Sequence, residues 1–257
     1  MIPALKAIDP FGAASLNLFH ERVQSLVQNE LEVAPETARA FTTTVAADLR
    51  RSGKTYVGGL KFNKIRTRWN SVLAAERSAA IADWIAPHVD GELLDLLCGD
   101  GRVGESLRER HRVDVTLTER AGAYVRDRNE HRLPYYSFDT FTSLSPQPRF
   151  DVVLLCTVLH HEPDPEALLA LSVRLARRKI VILENCLETE CPADYHLLID
   201  LFFNQWLNPI EIDCPANHRT PEGWLSLISK YGRTAFFERK GKLPGIPLPH
   251  YLFVIDC

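Results

Sequence analysis

The run Glu92-Leu93-Leu94-Asp95-Leu96-Leu97-Cys98-Gly99-Asp100-Gly101-Arg102-Val103-Gly104 holds the parts of a small-ligand site. An apolar strand leads into a glycine-containing turn and then a helix. Gly99 and Gly101 let the backbone approach a ligand closely and take positive φ where needed. The N-terminus of the next helix offers free N–H groups and a partial positive charge. Taken alone, such a turn is also the mark of a tight strand–helix connection. Two acidic residues extend the pattern. Glu119 closes the apolar run Val113–Thr118, where a nucleoside ribose presents its two hydroxyls, and a carboxylate accepts from both. Asp139 follows Tyr135–Phe138 and is placed to receive an adenine amino group, with Phe138 or Phe141 packing on the ring. Each acid also reads as a polar strand end in a solvated loop.

A second constellation follows the run Val152–Cys156, where Cys156, Thr157, His160 and His161 stand together. The C-terminal end of a strand is where ligands of open α/β sheets bind. A histidine titrates near neutral pH and can take a phenol or hydroxyl proton, so His160 and His161 are the candidate general bases. They also read as strand-end packing. Glu184 and Asn185 come next, and His196 and His218 are within reach from the segment beyond. A metal held by His160 and His161 is disfavoured, because adjacent residues of a strand face opposite ways. The spacing of Cys186, Cys191, Cys214 and His218 matches no common zinc pattern, and no metal is expected.

Elements that alternate must position these groups. The apolar runs Leu93–Leu97, Val113–Leu117, Tyr135–Phe138, Val152–Cys156 and Ile180–Leu183 are separated by candidate helices near Val103–Arg110, Ala121–Asn129 and Pro165–Arg177. That predicts βαβ units and a parallel sheet with helices on both faces. The last two runs, Thr234–Glu238 and Tyr251–Ile255, are joined through Gly241, Pro244, Gly245, Pro247 and Pro249. The link is too short and broken for a crossover helix, so these strands should pair antiparallel. The segment before Glu92 reads as helical: Leu16–Leu31, a helix opening at Pro35, and Val72–Ile85 carry apolar residues at helical spacing.

From Leu93 to the C-terminus, roughly two thirds of the chain, the sequence resembles the class I S-adenosylmethionine-dependent methyltransferases. The glycine motif, the acid ending strand two and the stretch Phe150–Pro165 carry the resemblance. It implies an α/β fold: a seven-stranded, mostly parallel sheet with helices on both faces and a C-terminal antiparallel hairpin, plus an N-terminal helical cap. The expected division is a cap over residues 1–88 and a cofactor domain over 89–257, with a helical acceptor-site insertion near 190–231. By the same resemblance Asp95, Gly99 and Gly101 surround the methionine and ribose of S-adenosylmethionine, whose product form is S-adenosylhomocysteine. Glu119 holds the ribose hydroxyls and Asp139 the adenine. Leu97, standing where the family has its first glycine, and Cys156 complete the expected cofactor set. A bulky Leu97 could crowd the methionine tail or shift the turn, and binding is expected to survive because Gly99 and Gly101 remain. A dinucleotide dehydrogenase shares the strand–glycine–helix logic, but the histidine-bearing strand end and the hairpin argue against it.

Two stretches are candidates for the acceptor. Tyr195, Phe202, Phe203 and Trp206 lie at helical spacing, and Thr220 with Pro221 starts a further helix. Leu49–Arg68 carries Arg50, Arg51, Lys54, Lys61, Lys64, Arg66 and Arg68 without an acid. An aromatic stripe is as readily core, and a basic run a solvated face. The functional expectation is that Tyr56–Trp69 and Tyr195–Trp224 close over the acceptor, with Arg66, Arg68, Trp69, Tyr195, Phe203, Trp206 and His218 touching it. The partner is then a small molecule, an aromatic or anionic metabolite methylated on O or C. The alternatives are an RNA or protein methyltransferase and a non-catalytic module that keeps the fold for binding.

Composition bounds these readings. Apolar residues are 46% and charged residues 25% of 257, ordinary for a globular protein. A net charge of −3 and a pI of about 6.3 give no global reason for a nucleic-acid or anionic-membrane partner. With no signal-peptide pattern at the start and no long apolar run, a cytoplasmic protein with reduced cysteines is expected. A homodimer is one form open to it.

Overall fold

In strand β1 (Glu92–Leu96) every residue after Glu92 is buried, which requires cover on both faces of the sheet. The computed structural model, which describes residues 11–51, 61–120, 133–207 and 214–257, supplies that cover. The expected helix Ala121–Asn129, and Lys54 and Tyr56 of the basic stretch, lie outside the described residues. The other strands are β2 (Asp114–Glu119), β3 (Tyr135–Ser137), β4 (Phe150–Cys156), β5 (Ala176–Asn185), β6 (Arg233–Lys240) and β7 (His250–Asp256). They form one sheet in the order β3-β2-β1-β4-β5-β7-β6. β1 to β5 run parallel, and β7 is antiparallel to both β5 and β6. The expected hairpin is therefore present, with β7 inserted between β5 and β6.

Alternation along the strands assigns the two faces. Leu93, Val115, Leu117, Val152, Leu154, Val181 and Leu183 pack with Ile81, Trp84, Ile85 and Leu107, from helices Ala74–Ile85 and Arg102–His111. Leu94, Leu96, Val153, Leu155, Ile180 and Ile182 pack with residues of helices Pro165–Leu175 and Pro221–Ile228. Asp95 has the parity of Leu93, so its carboxyl enters the face covered by helix Arg102–His111.

By its contacts the chain divides into two compact units, Met1–Leu73 with Leu187–Ala216, and Ala74–Cys186 with Asn217–Cys257. This division differs from the expected linear one. Helix Ala74–Ile85 buries its apolar side on the sheet, and helix Pro221–Ile228 belongs to the sheet as well. The helical unit contains Ala13–Asn29, Pro35–Arg50 and Asn63–Arg68, with a wide π turn over Trp69–Leu73, and Ala193–Leu201 with a second π turn over Phe202–Leu207. Its core is aromatic. Trp69 meets Phe202 edge-on at 5.2 Å, Phe41 meets Trp206 at 5.2 Å, and Phe19 meets Phe202 at 5.6 Å. Among the described residues no helix is long and apolar enough to cross a membrane.

Three local expectations are corrected. Phe138 begins a helix, Phe138–Thr142, because the Ser137 hydroxyl accepts from the Thr140 amide and caps it. Asp139 therefore sits in a helical first turn, not at a strand end. His160 and His161 are not in β4: the chain leaves the sheet at Thr157, whose φ is +53°, and winds a short 3₁₀ turn over Leu159–His161. Their rings do not point apart but lie 4.1 Å from centroid to centroid.

Candidate active site

β1 lies between β2 and β4, which places the reversal of strand order at its C-terminal end. That is where open α/β sheets form a ligand crevice. The turn after β1 is built on three left-handed residues, Leu97 (φ +59°), Gly99 (φ +60°) and Gly101 (φ +77°). Glycine adopts this region at little cost and leucine does not. Leu97 holds it because its side chain is only 6% exposed and packs with Leu94, Leu96 and Leu155 in the core. Its amide donates to the buried Thr118 hydroxyl at 3.2 Å, and the Cys98 amide to the Thr118 carbonyl at 2.9 Å. The Leu97 side chain points into the core and not into the turn.

Gly104 is required by packing. A Cβ there would stand 2.7 Å from Leu117 Cδ2, 3.0 Å from Val115 Cγ1 and 3.2 Å from an Asp95 carboxylate oxygen. Asp95 is 1% exposed, and among the described residues no side-chain group closes a hydrogen bond on its carboxyl. Burial, then the nearby Glu119 and Asp100 carboxylates, push its pKa up to about 7, with only the Gly104 amide working the other way.

Glu119 is nearly buried at the end of β2. Its carboxylate accepts from the Gly99 amide at 2.9 Å and from the Arg120 amide at 2.6 Å, so it is tied to the glycine turn itself. The Arg120 guanidinium lies over the Phe138 ring, 4.6 Å from its centroid, and makes a two-pronged ion pair with Glu162. That pair raises the Arg120 pKa further. Neither Arg120 nor Glu162 stands out in the sequence. The available signal was the position of Arg120 directly after a candidate ribose acid.

Beyond β4, His160 is buried and its Nδ1 is 2.6 Å from a Glu184 carboxylate oxygen; the other oxygen accepts from the Leu159 amide at 2.7 Å. Glu184 comes from β5, the neighbour of β4, and is fully buried. A carboxylate on Nδ1 makes that nitrogen the donor and so sets the tautomer of the neutral ring. His218 stacks on His160 at 4.7 Å. The Cys156 thiol is pushed up in pKa by burial, then by Asp95 and Glu184, so it stays protonated. Cys156 thus stands between the carboxylates behind the glycine turn and behind the histidines.

The solved structures decide the fold. The carbon methyltransferase of CurJ matches with a TM-score of 0.53 at 15% identity, over 96% of this chain and 81% of its own. The mitomycin 7-O-methyltransferase MmcR matches with 0.53 at 16% identity, over 96% and 76%. The chain has the class I methyltransferase fold. The [4+2]-cyclase SpnF matches as well, with 0.50 at 15% identity over 69% and 80%, so this methyltransferase fold also occurs in a protein named for other chemistry. Residues 76–191, less than half of the chain, match the family model of the methionine biosynthesis protein MetW. Comparison with curated proteins gives no match.

Within the methyltransferase fold, Asp95, Leu97, Gly99, Gly101, Glu119 and Cys156 gather at the ends of β1, β2 and β4, with Asp139 beyond β3. His160, His161 and His218 gather beyond β4. The remaining expected acceptor residues belong to the helical unit. Trp69, Tyr195 and Trp206 are at most 1% exposed. Trp206 donates to the buried Asp48 carboxylate at 3.2 Å, and Phe203 packs edge-on against Trp69. Arg66 donates to the Leu207 carbonyl and Arg68 to the Leu31 carbonyl. Trp69, Tyr195 and Trp206 therefore read as core and not as an acceptor wall, and both arginines satisfy carbonyls of their own unit.

Proposed function

We propose that the protein is an S-adenosylmethionine-dependent methyltransferase acting on a small-molecule acceptor, with His160 as general base and Glu184 as the residue that positions it. The carrying observation is the glycine turn closed by the Glu119 carboxylate, with the uncompensated Asp95 carboxyl buried behind it. These residues fit a cationic nucleoside: backbone amides and left-handed glycines for close approach, an acid for the ribose hydroxyls, and a second acid with no positive partner among the described residues. When bound, S-adenosylmethionine supplies an electrophilic sulfonium methyl.

The chain's own residues would hold, align and deprotonate. Glu119 would exchange its hold on the turn amides for the ribose hydroxyls, at little net cost because charge-assisted bonds replace one another. Asp95 would be drawn toward its ionised form by a nearby cation. Asp139 would contribute on the adenine side. Glu184 fixes the His160 tautomer, so Nε2 can accept a proton from a hydroxyl or phenol as it attacks. His161 and His218 flank that imidazole. A braced base favours an acceptor with an ionisable O–H over one that needs only alignment. The −3 charge and the engagement of Arg66 and Arg68 with carbonyls weigh against the nucleic-acid reading.

Titration calorimetry with S-adenosylhomocysteine tests the cofactor. The wild-type protein should bind, and Glu119→Gln should weaken binding about ten- to a hundred-fold, the equivalent of roughly 1.5–3 kcal/mol. A wild type without affinity overturns the reading, and an unchanged Glu119→Gln removes that residue from it. With an acceptor in hand, His160→Asn should still bind S-adenosylhomocysteine yet lose about 10²–10⁴ in turnover, less at high pH where the acceptor ionises unaided.

A further inference from the structure

The proposed nucleoside site is crossed by an ion pair that its catalytic reading does not use. Arg120 follows the last residue of β2, Glu162 follows the 3₁₀ turn beyond β4, and β1 lies between those strands. The Arg120–Glu162 pair therefore spans the C-terminal end of β1, where the Leu97–Gly101 turn emerges. Both ends are anchored. Glu162 is buried, its amide donates to the Leu159 carbonyl at 3.2 Å, and its carbonyl accepts from Asn217 Nδ2 at 2.8 Å. Arg120 is tied at its amide to the Glu119 carboxylate and at its guanidinium to Glu162, while its flat face rests on Phe138. One residue thus links the group assigned to the ribose with a strap across the crevice.

We propose that Arg120 and Glu162 form a strap over the nucleoside crevice that sets the rate at which S-adenosyl ligands enter and leave; this rests on the cofactor reading above. A ligand that draws Glu119 off the Arg120 amide loosens the near anchor, and the guanidinium must swing from Glu162 for a nucleoside to pass. Half the Arg120 side chain is exposed, so the swing costs the ion pair and little packing. Arg120 also faces the Glu119 and Asp139 carboxylates, which offer the released guanidinium a partner on the β2–β3 side. A two-pronged guanidinium–carboxylate pair is specific to arginine, so lysine should make a looser strap.

The test is the kinetics of S-adenosylhomocysteine binding by surface plasmon resonance on the full chain, with folding checked by circular dichroism. Arg120→Ala and Glu162→Gln should each speed association and dissociation together, about ten-fold or more, while the equilibrium constant moves less than about three-fold. Arg120→Lys, the mildest change, should fall between. The double variant should be no faster than either single one. In the wild type both rates should rise with salt from about 0.05 to 0.5 M, because the exposed side of the pair is screened, and this response should vanish in Arg120→Ala. Unchanged rates in folded variants overturn the strap. Faster dissociation with unchanged association also overturns it and makes Arg120 a direct ligand contact. Absence of binding by the wild type overturns the cofactor reading and the strap with it, whereas wild-type binding with wild-type rates in the variants removes the strap alone.

Discussion

Asp95 gives the sharpest physical test of the proposed site, because a carboxyl kept buried for a cationic ligand would place its cost on the fold. A carboxyl with a folded pKa of about 7, against about 3.9 in an unfolded chain, destabilises the folded state once the solution pH exceeds the unfolded value. The sign is that of a raised acid: the unfolded chain releases its proton first, so stability falls as pH rises from about 4 to about 7 and then levels. Three pK units correspond to about 4 kcal/mol at the plateau, of which roughly 2.5 kcal/mol should develop between pH 5 and pH 8. Asp95→Asn keeps the shape and removes the titration. Urea unfolding of wild type and variant at pH 5 and pH 8 measures the difference. The variant should gain about 2–3 kcal/mol relative to wild type across that interval. Part of the gain comes from relief of Glu119 and Asp100, which share the field. Parallel pH profiles would refute the account, since a carboxyl ionised at ordinary pH in the fold cannot be waiting for a cation. The same variant should weaken binding of cationic S-adenosylmethionine more than that of neutral-sulfur S-adenosylhomocysteine, because only the former compensates a buried carboxylate.

Two further outcomes follow from the structure. Leu97→Gly relieves a left-handed leucine but empties a buried side chain, so it should destabilise by about 2–3 kcal/mol in urea unfolding while leaving S-adenosylhomocysteine affinity within about three-fold; a large loss of affinity at intact fold would give Leu97 a ligand contact. His250, buried at the start of β7 opposite Asn185, is pushed down to about 4 by desolvation, against the pull of the Leu248 carbonyl. Stability should therefore fall as pH drops from about 6.5 to about 4, by roughly 3 kcal/mol, and His250→Gln should flatten that limb in thermal unfolding.

The alternation of apolar runs and helices settled the sheet, and the short proline-broken link settled its antiparallel edge, because strand period and connection length are local properties of the chain. The glycine motif and Glu119 were legible for the same reason: each sits at a strand end whose position follows from its own run. The sequence did not reveal what distant segments do to one another. Leu97 looked like an obstruction because its residue type was visible and its φ was not; at +59° its side chain leaves the turn for the core. His160 and His161 looked opposed because β4 seemed to continue, and the left-handed Thr157 that ends it is a backbone choice no pattern announced. The Glu184–His160 contact joins neighbouring strands far apart in sequence. The aromatic stripe of Tyr195, Phe202, Phe203 and Trp206 had two readings of equal standing, core or pocket. Only tertiary packing decided between them, since a helix records which residues share a side but not what will cover it.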